Sequence, residues 1–337
     1  MSSAPRFVFD SGHPQPLLHR ASPGAEDNLF GFEGGTLLRL DGAYHLFTAE
    51  IHARPKVVPT RLAHWRSDDG LAFTRVSTLF ASTGDFTGRD ERASLWSPMP
   101  FFNEAEDRWN LFYVAYKAAP NTPTAHLLNH AGRIVRARSL TAGRSGFGGP
   151  YADVEIVLQP GPDSDPWEGL QGVDSFYAYR LDDGSWRAFY GSCHTQNMPC
   201  DWWGLGLASA PALAGPWTRC SAQNPVVLDE KFAENPIVTR LADGVFVAIY
   251  DSTIRGTFGI ATSTDGVNWS RGASLEFPRE AFPWLATMRT PLCLLPEPDG
   301  GFLLYFTGYD RTDGVAAEEP HHHDGFGVVG RMRLRRV

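Results

Sequence analysis

The sequence is poor in cysteine, with four in 337 residues, at Cys193, Cys200, Cys220 and Cys293. None has the paired CxxC spacing of a zinc site, and so few in so long a chain do not make a disulfide framework. They are expected as buried thiols, although Cys193 and Cys200 flank one loop and would pair in an oxidising compartment. Positive charge is also scarce: 30 Lys and Arg stand against 38 Asp and Glu, a net charge of -8. That balance lacks the electrostatic footprint needed for nucleic acid or an anionic membrane surface. No stretch approaches the roughly 18 apolar residues of a spanning helix. The opening residues, MSSAPRFVFDSGHPQP, have no basic segment followed by an apolar one. The expectation is a cytoplasmic protein without nucleic-acid or membrane partners.

Helical periodicity is missing as well. The chain has instead 34 Gly, 25 Pro and short aromatic runs, the composition of many strands and turns. One unit, a polar turn leading into an aromatic and aliphatic strand, recurs five times: DGAYHLFTAE at 41, EDRWNLFYVAY at 106, DGSWRAFYGS at 183, DGVFVAIYDS at 243 and DGGFLLYFTGY at 299. A shorter strand precedes each: FEGGTLLRL at 32, WSPMPFFN at 96, VDSFYAYRL at 173, ENPIVTRL at 234 and RTPLCLLP at 289. A third strand follows each, and SDDGLAF at 67 and STDGVNW at 263 repeat one turn with an aromatic anchor. Antiparallel strands repeated five times with no helix between them predict an all-β, five-bladed β-propeller. It is expected as one domain over residues 1–337, with blades near 29–80, 94–160, 170–228, 232–279 and 286–337.

In a propeller the first strand of each blade lines the central axis. The stretch AENPIVTR puts Glu234 at the mouth of such a strand, ahead of an Asn-Pro step and β-branched residues. The corresponding residues of the other blades are expected to be Glu33, Ser97, Asp174 and Arg289. Three carboxylates in a partly dry funnel raise one another's pKa, and an Arg among them lowers that of its nearest partner. Such a division lets one site hold an acid and a base together at neutral pH, as cleavage of a glycosidic bond requires. The alternative is that these acids merely cap strand ends.

The five-blade pattern, the inner-strand acids and the repeated SxDGxxW turn resemble glycoside hydrolase family 43 and its relatives in families 32, 62, 68 and 117. Along the whole chain the resemblance implies a glycosidase with a carbohydrate substrate. By family 43's motifs, FEGG places Glu33 as base, VDSF places Asp174 as the residue that tunes pKa and orients sugar, and AENP places Glu234 as acid. Glu33 stands where the family has Asp, Met99 stands where the second-blade WAPD motif has its acid, and Arg289 replaces a metal-associated His. No cofactor is expected, and a central calcium is not implied.

Trp96, Trp284, His52 and His194 lie near expected blade mouths and, with Ser97 and Arg289, are candidate substrate contacts. The run EEPHHHDG has a metal-binding composition but is expected as an exposed hairpin loop, with no metal site. Inverting hydrolysis of a small glycoside is the leading expectation. The alternatives are a phosphorylase of the family 130 type, for which Arg54, Arg61, Arg92 and Arg289 would have to bind phosphate, and a non-catalytic sugar-binding propeller.

Overall fold

The computed structural model describes residues 6–121, 128–194, 202–254, 256–310 and 325–337. These form five four-stranded antiparallel sheets. Blade I comprises Gly31–Leu40, Ala43–Ile51, Thr60–Ser67 and Thr74–Ala81, and blade II comprises Ser94–Asn103, Arg108–Ala118, Asn129–Ser139 and Tyr151–Leu158. Blade III is Asp174–Arg180, Trp186–His194, Trp202–Ala210 and Thr218–Arg219. Blade IV is Ala233–Arg240, Phe246–Ser252, Phe258–Ser263 and Ala273–Ser274. Blade V takes Leu285–Pro296, Gly301–Asp310 and Gly327–Arg336 from the end of the chain and Phe7–Gly12 from its beginning. That N-terminal strand pairs Phe7 with Arg336 and Gly12 with Met332, closing the ring with hydrogen bonds. The repeat did not reveal it, because FVFDSG lacks the turn that marks the other strands.

The local chemistry explains the repeat. Leu40 pairs with Ala43 across a two-residue turn, Asp41-Gly42, with φ of 50° and 82°; both residues tolerate the left-handed backbone that this tight hairpin demands. The two SxDG turns are built alike. Ser67 Oγ donates to Asp69 Oδ1 at 2.8 Å and accepts from Gly70 N at 3.0 Å, as Ser263 does with Asp265 at 2.9 Å and Gly266 at 2.8 Å. The second strands of blades I and IV are buried along their whole length, as expected of strands covered on both faces. Blades pack on one another through rings such as Phe258 of blade IV against Phe306 of blade V, edge to face at 6.0 Å. Among the described residues no helix is long and apolar enough to cross a membrane.

Candidate active site

Blade V has further register shifts, but every inner strand breaks its pairing with the second strand at one shared place. The shifts fall between Glu33 and Thr36, Trp96 and Met99, Asp174 and Tyr177, Glu234 and Ile237, and Arg289 and Pro291. At each bulge the residue after the break takes left-handed backbone: Gly34 at φ 69° (followed in blade I by Gly35 at 104°), Ser97 at 51°, Ser175 at 53°, Asn235 at 51° and Thr290 at 37°. This backbone costs a non-glycine residue on the order of 1 kcal/mol, and bulges of this kind re-aim neighbouring side chains.

The bulge fixes which residues are equivalent. Glu33, Trp96, Asp174, Glu234 and Arg289 each precede the left-handed residue and pair with Ala49, Val114, Gly191, Asp251 and Thr307 of the second strands. The sequence expectation for blade II is therefore off by one: Trp96 holds the equivalent position, and Ser97 corresponds to Gly34, Ser175, Asn235 and Thr290. Those next residues link blades III, IV and V. Ser175 Oγ donates to Asn235 Oδ1 at 3.2 Å, and Asn235 Nδ2 donates to Thr290 Oγ1 at 3.2 Å and to Asp251 Oδ2 at 2.9 Å.

The guanidinium of Arg289 is the hub. Its Nε donates to Glu33 Oε1 at 2.9 Å and its Nη1 to Asp251 Oδ2 at 2.7 Å. Nη1 also lies 2.5 Å from Glu234 Oε2. That last contact is one of charge, for Oε2 accepts no hydrogen bond among the described residues. Asp251 Oδ1 is further held by Thr290 N at 2.9 Å, and the second oxygen of Glu33 accepts from the Tyr309 hydroxyl. Asp174 Oδ1 accepts from Ser175 N at 2.6 Å. The Asp174 carboxylate is also hydrogen-bonded by Tyr116, whose oxygen accepts from Gln171 Nε2 at 2.8 Å. Glu33, Asp174, Glu234 and Arg289 are between 4 and 9% exposed: dry, but not sealed.

Burial dominates the electrostatics. It raises the Glu234 carboxyl to about 8, with the anions of Asp174 and Asp251 adding to the rise and Arg289 opposing it. Burial also raises Asp174, against the hydrogen bonds from Tyr116 and Ser175 N, and raises Asp251 against Arg289 and Asn235. One guanidinium among four carboxyls leaves too little positive charge for all four to ionise, so the group retains protons at neutral pH. The oxygens that a cation would take are already engaged by Arg289, and among the described residues no group of three or more His, Cys, Asp or Glu is arranged to hold a metal.

Sequence reasoning missed Asp251, Tyr116, Tyr309 and Gln171. The first three sit toward the ends of second strands whose central runs are apolar. A polar residue in a strand buried on both faces was the available signal, since such a group is buried only with a partner.

The other expected contacts separate. Trp96 keeps a 9% exposed ring with its Nε1 donating to Ser94 Oγ at 2.5 Å. Trp284 is spent on packing: its ring stacks on Phe306 at 6.3 Å and its Nε1 donates to the His13 carbonyl at 3.3 Å. His52 follows the second strand of blade I and is half-buried, its pKa lowered by burial and by Arg61. His194 ends the second strand of blade III, and its side chain lies outside the described residues, as does the EEPHHHDG run. Cys220 and Cys293 are free, but Cys193 is disulfide-bonded, which corrects the expectation of a thiol there; Cys200 lies outside the described residues.

No family model matches the chain, and no curated protein matches it either. Solved structures do. A family 117 glycoside hydrolase from the marine bacterium Zobellia galactanivorans superposes with a TM-score of 0.64 at 12% identity, covering 98% of this chain and 90% of the other. A thermostable family-43 glycoside hydrolase gives 0.59 at 13% identity, covering 95% of each chain. An exo-1,5-α-L-arabinanase from a bovine ruminal metagenomic library gives 0.57 at 12% identity, covering 90% and 93%. At such identities the likeness is one of architecture: this chain has the five-bladed β-propeller fold seen in glycoside hydrolases of families 43 and 117.

Proposed function

We propose that the protein hydrolyses a glycosidic bond with inversion of configuration. Glu234 is the acid that protonates the leaving oxygen, Glu33 the base that activates water, and Asp174 the anion that tunes Glu234 and orients the sugar. The observation that carries this reading is the difference in setting among equivalent carboxyls. Glu234, without a hydrogen bond on Oε2, holds a proton up to about 8, whereas Glu33 receives an Arg289 N–H and the Tyr309 hydroxyl. A proton donor and a carboxyl held by an Arg and a phenol thus stand in one site, which is the division of settings this reaction needs. Trp96, at the fifth equivalent position, offers an apolar face to a sugar ring. The fold likeness to glycoside hydrolases supports the same class of reaction.

Hydrolysis is favoured over phosphorolysis by the state of the arginines. Arg289 is committed to carboxylates, Arg61 to Asp27 and Glu50, and Arg92 to Asp153 and Tyr113. None of these three is left to bind phosphate, and the fourth candidate, Arg54, lies over the Phe30 ring at 5.2 Å from its centre, which leaves a single arginine where a phosphate site needs several. The test is a panel of aryl pentofuranosides, xylosides, galactosides and fructosides, with the nascent sugar read by proton NMR before mutarotation. Phosphate-independent release of the inverted anomer is expected; phosphate-dependent turnover or net retention would overturn the reading.

A further inference from the structure

Among the described residues, two of the three axial carboxyls carry a phenol and the third does not. Tyr309 lies two residues beyond Thr307, the partner of Arg289 in blade V, and Tyr116 lies two beyond Val114, the partner of Trp96 in blade II. The two tyrosines are therefore equivalent. Each reaches the axial carboxyl of the following blade in the ring, Tyr309 to Glu33 and Tyr116 to Asp174. The equivalent residue of blade III, which precedes Glu234's blade, is Cys193, two beyond Gly191. In a disulfide its sulfur has no proton to donate.

Resting on the glycosidase reading for the word acid, we infer that Tyr116 and Tyr309 are positioning residues that hold Asp174 and Glu33 as carboxylates, whereas Glu234, with Cys193 in the equivalent place, receives no such clamp among the described residues. A hydroxyl donating to a carboxylate favours the ionised form. Both phenols are buried, Tyr309 wholly and Tyr116 to 2% exposure, so neither meets a sugar as a nucleophile; they act through the carboxylates they hold.

Among the described residues the neighbouring charges act alongside the phenols. Glu33 faces Arg289 and, across it, Asp251. Asp174 faces Arg289 and Glu234, and Glu234 faces Arg289, Asp174 and Asp251. Lys56 Nζ sits 5.2 Å from the centre of the Tyr309 ring. Among the described residues Arg289 is common to all three carboxyls, whereas the phenol is present for two and missing for the third.

The test is a carboxyl-carbon NMR titration of the full chain labelled in Glu and Asp, comparing wild type with Tyr309→Phe and Tyr116→Phe. Each variant keeps the ring and removes only the hydroxyl. The expected result is that the midpoint of Glu33 rises by about one to two pH units in Tyr309→Phe, and that of Asp174 by a similar amount in Tyr116→Phe. In Tyr116→Phe the midpoint of Glu234 falls, because a less ionised Asp174 opposes its ionisation less. Gln171→Leu, which loosens Tyr116 without touching the carboxyl, moves Asp174 in the same direction by less and provides a second route if Tyr116→Phe does not fold. Midpoints that stay within about 0.3 units of wild type would overturn the inference. Because the readout is taken on the free protein, moved midpoints with no glycosidase activity would refute the proposed reaction and leave the clamps standing.

Discussion

Replacing Glu234 by Gln should make the folded protein more stable in alkali while removing its activity. The carboxyl titrates at about 8 in the folded chain against 4.5 as a model group. The native state therefore binds this proton more tightly than the unfolded state does. Below about pH 4.5 both states are protonated and the contribution is at its full value. Between 4.5 and 8 only the unfolded state releases the proton, so stability declines as pH rises, and above 8 the decline ends. A gap of about 3.5 pH units at 1.36 kcal/mol each comes to ~5 kcal/mol. Gln keeps the shape and cannot ionise, and Arg289 keeps Glu33 and Asp251. The variant should match wild type near pH 4.5 and gain steadily above it, reaching a melting temperature about 5 to 10 °C higher at pH 9. Calorimetric melting of both proteins from pH 4.5 to 9 gives the comparison. Curves that stay parallel across that range would refute the reasoning, and a variant less stable at pH 9 would mean that the ion pair with Arg289 outweighs burial.

Asp174→Asn should move the basic limb of the pH–rate profile downward, since the Asp174 anion helps keep the proton on Glu234; an unmoved limb would confine Asp174 to contact with substrate. Glu50 is fully buried and accepts from Arg61 Nε, Trp65 Nε1 and both Nε and Nη2 of Arg75 at 2.9 to 3.0 Å. Glu50→Leu strips Arg75 of its carboxylate and leaves Arg61 only Asp27, and should cost about 3 to 5 kcal/mol in urea unfolding. In acid the buried pair His45 and His64, with Nδ1 and Nε2 3.0 Å apart, becomes the liability. Burial holds His64 at about 3 rather than 6.5, so stability present above pH 6.5 is lost as pH falls toward 3, and His64→Leu should flatten that decline in acid titrations of the fold.

The fold was legible because propeller blades repeat the same local solution. Asp-Gly turns, apolar second strands and the SxDG turn are each short, and they were visible in the sequence four times, five times and twice. The carboxyls Glu33, Asp174 and Glu234 were legible for the same reason, since each opens a strand after a recognisable loop. The exact ring was not. A bulge adds one residue without a reliable signature, and although Gly34 and Asn235 suit left-handed backbone, Ser97, Ser175 and Thr290 do not announce it. Hence Ser97 stood in for Trp96. Asp251, Tyr116 and Tyr309 were hidden because their partners lie on other strands or other blades, 16 residues away for Asn235 with Asp251 and 276 for Glu33 with Tyr309. Trp284 failed differently: nearness to a strand mouth says nothing about which way a ring turns, and this one found Phe306.

The central claim, that Glu234 delivers the proton to the departing sugar oxygen, is tested most directly by the dependence of turnover on the leaving group. An alkyl glycoside needs that proton and a dinitrophenyl glycoside does not. The account predicts that Glu234→Gln loses about 10²- to 10⁴-fold in kcat/KM on the alkyl substrate while staying within about tenfold of wild type on the dinitrophenyl one. Equal losses on both substrates, or near-normal turnover of the alkyl glycoside, would contradict it.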